Sequence, residues 1–208
     1  MEASFWQSRW EADQIGFHEA QVHPMLIAHG ARLGADGRVF VPLCGKSRDM
    51  PWLRAQGHAV LGIELADIAV RAFFAEHGMT PAHTSVAPFE HFSADGYHLL
   101  CGDFFALTRA TAGPFSAIYD RAALIALPPE MRRAYATHMT ALAETGTCML
   151  LITVKYGTSV ISPPPFAVPM EEVMALYSDA WEIEDCGTRA AEVKGQPGSE
   201  QAFVLTRL

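Results

Sequence analysis

Between Arg38 and Glu64 the chain reads strand, turn, helix, strand, and this unit restricts the fold more than any other stretch. Arg38-Val39-Phe40-Val41-Pro42 is a short run of β-formers. Asp49 to Gln56 reads as a helix closed by Gly57, and Ala59 to Ile63 is a second strand ending at Glu64. Two strands joined by a helix run parallel, and a parallel pair needs helices on both faces. The alternation continues beyond this unit. Residues 66–77 form a helix with Ile68, Ala69, Ala72 and Phe73 on one face and Gly78 as its stop. Phe115 to Tyr119 is a strand, Pro129 opens a helix through Ala143, and Cys148 to Val154 is the most hydrophobic strand. Residues 170–178 are helical, and strands near 181–186 and 201–207 form an antiparallel end pair. The segment 82–101 holds short runs (His83–Ala87, His91–Phe92, Tyr97–Cys101) broken by Pro88 and by Asp95-Gly96, a hairpin signal. Two helices, 3–12 and 22–33, precede all of this. The pattern predicts an α/β fold with a mainly parallel sheet and an antiparallel C-terminal hairpin.

Composition narrows the class. The 208 residues fit one domain spanning 1–208, and a chain of this size buries enough surface to fold without disulfides or metal. Lys and Arg total 15 against 23 Asp and Glu, a net charge of −8. Such a chain repels polyphosphate and anionic lipid, so neither nucleic acid nor a membrane is an expected partner. The four cysteines (Cys44, Cys101, Cys148, Cys186) form no CxxC pair, and the histidines show no metal spacing. The expectation is a cytoplasmic monomer with reduced thiols, no metal, and a small neutral or cationic ligand.

The ligand's place is indicated by Val41-Pro42-Leu43-Cys44-Gly45-Lys46-Ser47-Arg48-Asp49. This stretch lies between a strand and a helix, where open α/β sheets bind ligands. Gly45 permits close approach to backbone. Nineteen residues later, Glu64 ends the next strand and can accept hydrogen bonds from both ribose hydroxyls of an adenosine-type ligand. The bland alternative is a tight turn and a solvated glutamate. Gly45-Lys46-Ser47 is not the end of a phosphate-binding P-loop, because Phe40 stands where its first glycine is required. The missing GxGxxG also disfavours a nicotinamide-dependent dehydrogenase.

Further candidates lie at later strand ends. Asp103 can accept from an exocyclic adenine amine with Phe104 against the base, or Asp103 is a helix cap and Phe104 core. Arg121 can reach a ligand, steadied by Asp120, or the two form a local structural pair. Trp6 and Trp10 share one helix face and form either a lid that meets a cationic sulfonium or ordinary core. Pro163-Pro164-Pro165 reads as a stiff loop.

Taken together, several motifs closely resemble the thiopurine S-methyltransferase family, in a bacterial form, from the first helix to about residue 170. They are Phe5-Trp6, Trp10, Gln14-Ile15-Gly16-Phe17-His18, Val41 to Ser47, Asp49-Met50, Trp52-Leu53, Gly57-His58, Gly62-Ile63-Glu64 and Asp120-Arg121-Ala122-Ala123-Leu124. The resemblance implies a class I S-adenosylmethionine-dependent methyltransferase sheet, Rossmann-like, with residues 1–34 as an N-terminal helical lid. It implies methyl transfer from S-adenosylmethionine to the sulfur of aromatic or heterocyclic thiols, leaving S-adenosylhomocysteine. It assigns Trp10, Leu43, Glu64, Asp103, Phe104 and Arg121 to the cofactor, and Phe17 and Arg121 to the substrate. Arg121 would orient the thiol and favour its thiolate form, so that no strong base is needed. One departure stands out: where the family carries a second substrate-side arginine, Lys194 is the only nearby cation in this stretch. A non-catalytic nucleoside- or metabolite-binding module, and methylation of selenium or tellurium species, remain as alternative readings.

Overall fold

The computed structural model describes residues 3–16, 18–157 and 161–208. The parallel unit forms as its sequence predicts. β1 (Arg38–Pro42) pairs in parallel with β2 (Ala59–Glu64) across α3 (Asp49–Ala55). β2 then pairs with β5 (Tyr97–Cys101) beyond α4 (Asp67–Glu76), and β1 pairs on its other side with β6 (Ala117–Arg121). The strand order therefore reverses direction at β1, the topological switch point. β6 continues to β7 (Cys148–Tyr156) through α6 (Pro129–Leu142), while α5 (Arg109–Ala112) is a single turn after β5.

Antiparallel pairs flank this parallel centre. β3 (Ala82–Val86) and β4 (Phe89–Ala94) extend one edge beside β5, joined to it through the Asp95-Gly96 turn. Both turn residues have positive φ, 48° and 81°, as a tight hairpin turn requires. At the other edge β8 (Trp181–Val193) and β9 (Gln196–Arg207) form the C-terminal pair, and β9 inserts between β7 and β8. These two arms run well past the expected 181–186 and 201–207. Most of β8 is half-buried or exposed, so its extension carries no apolar run to announce it.

Side-chain alternation divides the core into two layers. Phe40, Leu61, Ile118, Met149, Leu151 and Phe203 point toward α6 and α7 (Met170–Tyr177). Val39, Val60, Tyr119, Leu150, Ile152 and Val204 point toward α3, α4 and α2 (Pro24–His29). The expected 22–33 helix is α2 followed by a 3-10 turn at Gly30–Leu33. A side chain at Gly30 would come within 2.5 Å of the Trp52 ring, so the close approach of this segment to α3 depends on glycine. α1 (Ala3–Glu11) lies apart from these layers, with Trp10 packed near Ala66 and Ala69 at the start of α4.

Candidate active site

The carboxyl ends of β1, β2 and β6 open into a cavity of about 590 Å³ at the switch point, with α1 and the tip of the β8–β9 hairpin also on its wall. The turn after β1 is shaped by two left-handed residues, Leu43 (φ 47°) and Gly45 (φ 52°). A Cβ on Gly45 would sit 3.1 Å from the Trp10 ring, so the turn and the first helix approach through the space that glycine leaves. Gly62 of β2 serves the same turn from behind. A side chain there would come within 2.7 Å of Cys44 Sγ and 2.6 Å of Leu99. Cys44 is buried, and burial pushes its thiol well up, so it is a packed neutral thiol and no nucleophile.

Glu64 is buried at the cavity wall, 7% exposed. Its Oε2 accepts from the Gly45 amide and its Oε1 from the Ala66 amide, both at 2.9 Å. Burial pushes the carboxyl up, against the pull of the Ala66, Gly45 and Leu65 amides. A carboxylate this buried and held by backbone amides is not the solvated glutamate of the bland alternative.

Asp103 and Phe104 take the cap and core positions of the bland reading. Asp103 Oδ1 accepts from the Phe105 amide at 3.0 Å and caps a short 3-10 turn, Phe104–Ala106. Phe104 is buried, stacked on Phe40 at 6.4 Å and tilted against Tyr135 at 4.8 Å. Both nevertheless line the cavity. Trp10 is likewise both buried and cavity-lining.

Arg121 reaches the cavity from the end of β6, but Asp120 does not steady it. Successive strand residues face opposite ways. Asp120 turns inward, accepting from Tyr135 Oη at 2.8 Å and from the Leu124 amide at 3.1 Å. Burial raises its carboxyl to about 6. Arg121 Nη2 donates instead to Glu19 at 2.8 Å. Phe17 lies outside the described residues.

Lys194 stands at the hairpin tip with positive φ, lines the cavity, and donates through Nζ to the Ser162 carbonyl at 2.8 Å. Burial and the nearby Arg9 push its ammonium down. Arg9 of α1 also lines the cavity, with its guanidinium 4.7 Å from the Phe5 ring centroid. Lys194 is thus joined by a second cation that sequence reading missed. An arginine amid tryptophans on a polar helix has no local signal.

A second missed group runs beneath the cavity floor. Glu200 of β9 lines the cavity and is only 12% exposed. Its Oε1 lies 3.0 Å from His23 Nε2 and its Oε2 2.9 Å from Arg189 Nη1. The Met25 amide donates to His23 Nδ1 at 3.2 Å, so Nε2 carries the proton given to Glu200. The His23 amide in turn donates to Asp49, whose other oxygen accepts from the cavity-lining Tyr119 hydroxyl at 2.9 Å.

The family model for thiopurine S-methyltransferase matches residues 1–204. The chain belongs to the thiopurine S-methyltransferase family. Its match runs past residue 170 and takes in most of the C-terminal hairpin. Thiopurine S-methyltransferase of Nitrosospira multiformis is 48% identical over 88% of this chain and 84% of the relative. That of Pseudomonas syringae pv. tomato is 44% identical over 100% of this chain and 99% of its own. Among solved structures, the Burkholderia thailandensis 1,6-didemethyltoxoflavin-N1-methyltransferase, with S-adenosylhomocysteine bound, superposes with a TM-score of 0.70. It shares 14% identity and covers 99% of this chain and 87% of that one. Magnesium protoporphyrin IX methyltransferase from Synechocystis, also with S-adenosylhomocysteine, gives 0.65 at 14% identity, covering 98% of this chain and 99% of that one. The fold is therefore the methyltransferase α/β sheet.

Proposed function

We propose that this protein transfers a methyl group from S-adenosylmethionine to the sulfur of aromatic and heterocyclic thiols, thiopurines among them. The observation that carries this reading is Glu64: in a chain matched to the family over residues 1–204, a buried carboxylate faces the switch-point cavity from the end of β2. The residues fit the cofactor. Glu64 is a cavity-lining carboxylate at a strand end to which ribose hydroxyls can donate, and Trp10, packed over Gly45, presents its ring to the same cavity.

When bound, S-adenosylmethionine supplies a methyl group already activated on a sulfonium. The chain then has to hold and align two reactants and keep water away. Glu64 would hold the ribose, Asp103 and Phe104 the adenine, and Leu43, Trp10 and Arg121 the remainder. The aromatic faces of Trp6 and Trp10 offer attraction to a cation. Arg121 would orient the acceptor sulfur and favour its anionic form, with Phe17 beside the substrate. Of the proposed lid, residues 1–34, α1 reaches the cavity, whereas α2 and the turn after it pack on the sheet.

Among the described residues no group of three His, Cys, Asp or Glu side chains could hold a metal ion, and no helix is long and apolar enough to cross a membrane. The net charge of −8 supports a small-molecule acceptor rather than nucleic acid or an anionic membrane. We read the protein as a single-domain cytoplasmic monomer without a metal. Incubation with labelled S-adenosylmethionine, a thiol panel, and selenium and tellurium oxyanions tests the function. Label on thiol sulfur is expected. Cofactor binding without any labelled product would make the protein a binding module, and label on the oxyanions alone would move the acceptor to metalloids.

A further inference from the structure

We propose that Glu200 takes the ring N–H proton of heterocyclic acceptors that exist as thiones. The inference rests on the methyl-transfer reading above and adds to it the group that receives the acceptor's proton.

The carboxylate is placed and oriented before any ligand arrives. His23 holds one oxygen and Arg189 the other, each oxygen has a second lone pair, and the residue lines the cavity. Burial pushes the Glu200 carboxyl up, but His23, Arg189 and Arg121 outweigh it and leave it below the usual range. It is ionised at neutral pH. A tie between α2 and β9 alone would be complete with His23 and Arg189 and would not require a wall position in the cavity.

The acceptor's chemistry needs such a group. A neutral thione carries N–H beside C=S, and alkylation at sulfur turns it into a cation whose N–H is strongly acidic. The sulfur lone pair forms the S–CH3 bond as the methyl–sulfonium bond breaks, and that pair returns to the departing sulfur as a neutral thioether. The N–H bonding pair becomes the ring C=N bond while C=S becomes C–S. The proton passes to Glu200 and from there to water. Because the developing cation is acidic, a weakly basic carboxylate suffices, and its negative charge opposes the positive charge that forms. Arg121 and Glu200, a donor and an acceptor, both line the cavity, and Arg121 acts electrostatically on the Glu200 carboxyl; the proposal gives C=S to the first and N–H to the second.

The test compares 2-mercaptopyridine, which carries the N–H, with 4-nitrothiophenol, which is already a thiolate at assay pH. In Glu200→Gln the ratio of kcat/KM for the first over the second should fall about 100-fold, the usual scale of one proton-transfer group. A second readout needs no turnover. With S-adenosylhomocysteine bound, calorimetry should show the intact protein preferring 2-mercaptopyridine to its N-methylated thione about tenfold, a preference lost in the variant. Equal losses on both thiols, or a binding preference that survives the substitution, would overturn the assignment and leave Glu200 a structural tie. If the Gln variant does not bind S-adenosylhomocysteine, Glu200→Asp decides: a lowered ratio supports the role and an unchanged one refutes it. Absence of turnover on any thiol by the unaltered protein would refute methyl transfer itself, while the calorimetric preference would still judge Glu200.

Discussion

Gly62 and Gly45 act together at one crossing. Gly62 lets β2 pass close under Cys44, and Gly45 lets the turn above approach Trp10, so Glu64 at the end of β2 meets the turn amide directly. Glu64→Ala removes an acceptor that ribose hydroxyls would lose entirely. S-adenosylmethionine affinity measured by calorimetry should weaken by about 1–3 kcal/mol, and unchanged affinity would remove Glu64 from the site. This residue was legible because its cue is local: a carboxylate at a strand end, nineteen residues after a glycine turn. The Glu200–His23 contact joins positions 177 residues apart, and Arg189 enters from a neighbouring strand. No period or spacing in a single sequence encodes such a meeting. Asp120 misled for a related reason: adjacency to Arg121 suggested a pair, yet strand alternation sends neighbours to opposite faces.

At the scale of elements, the parallel unit was readable because its strands are buried on both faces and carry short, near-continuous apolar runs. The far ends of β8 and β9 were not, since an exposed ribbon is stabilised by cross-strand pairs rather than by an apolar stripe. The junction of α6 with α7 depends on one buried cation. Arg132 is 2% exposed, donates to the Leu127 carbonyl at 2.8 Å and to Glu172 at 2.6 Å, and lies against Phe166. Arg132→Met keeps most of the packing volume but strands Glu172 and a carbonyl. Because Glu172 is partly exposed, the expected loss is about 2–3 kcal/mol in urea unfolding, below that of a fully buried pair. A variant as stable as the parent would show that packing, not charge, joins the two helices.

For the molecule as a whole, Asp120 links the interior beside the sheet to pH. Its folded carboxyl titrates at about 6, above the ordinary value of 3.8, because burial disfavours the charge. The folded state therefore binds this proton more readily than the unfolded chain does. Its contribution to stability is complete below about pH 4 and is lost as pH rises through about 6. Asp120→Asn should flatten this part of the stability curve, as read from denaturant midpoints between pH 4 and 7; a slope identical to the parent's would place the titration elsewhere. The order of the sheet has a different consequence, which concerns synthesis rather than equilibrium. β9 is later in the chain than β8 yet sits between β8 and β7. Until β9 has been translated, β7 exposes an open edge and β8 has no strand to lie beside. A nascent chain of this protein therefore carries its sheet unfinished until β9 is free to slot between β7 and β8.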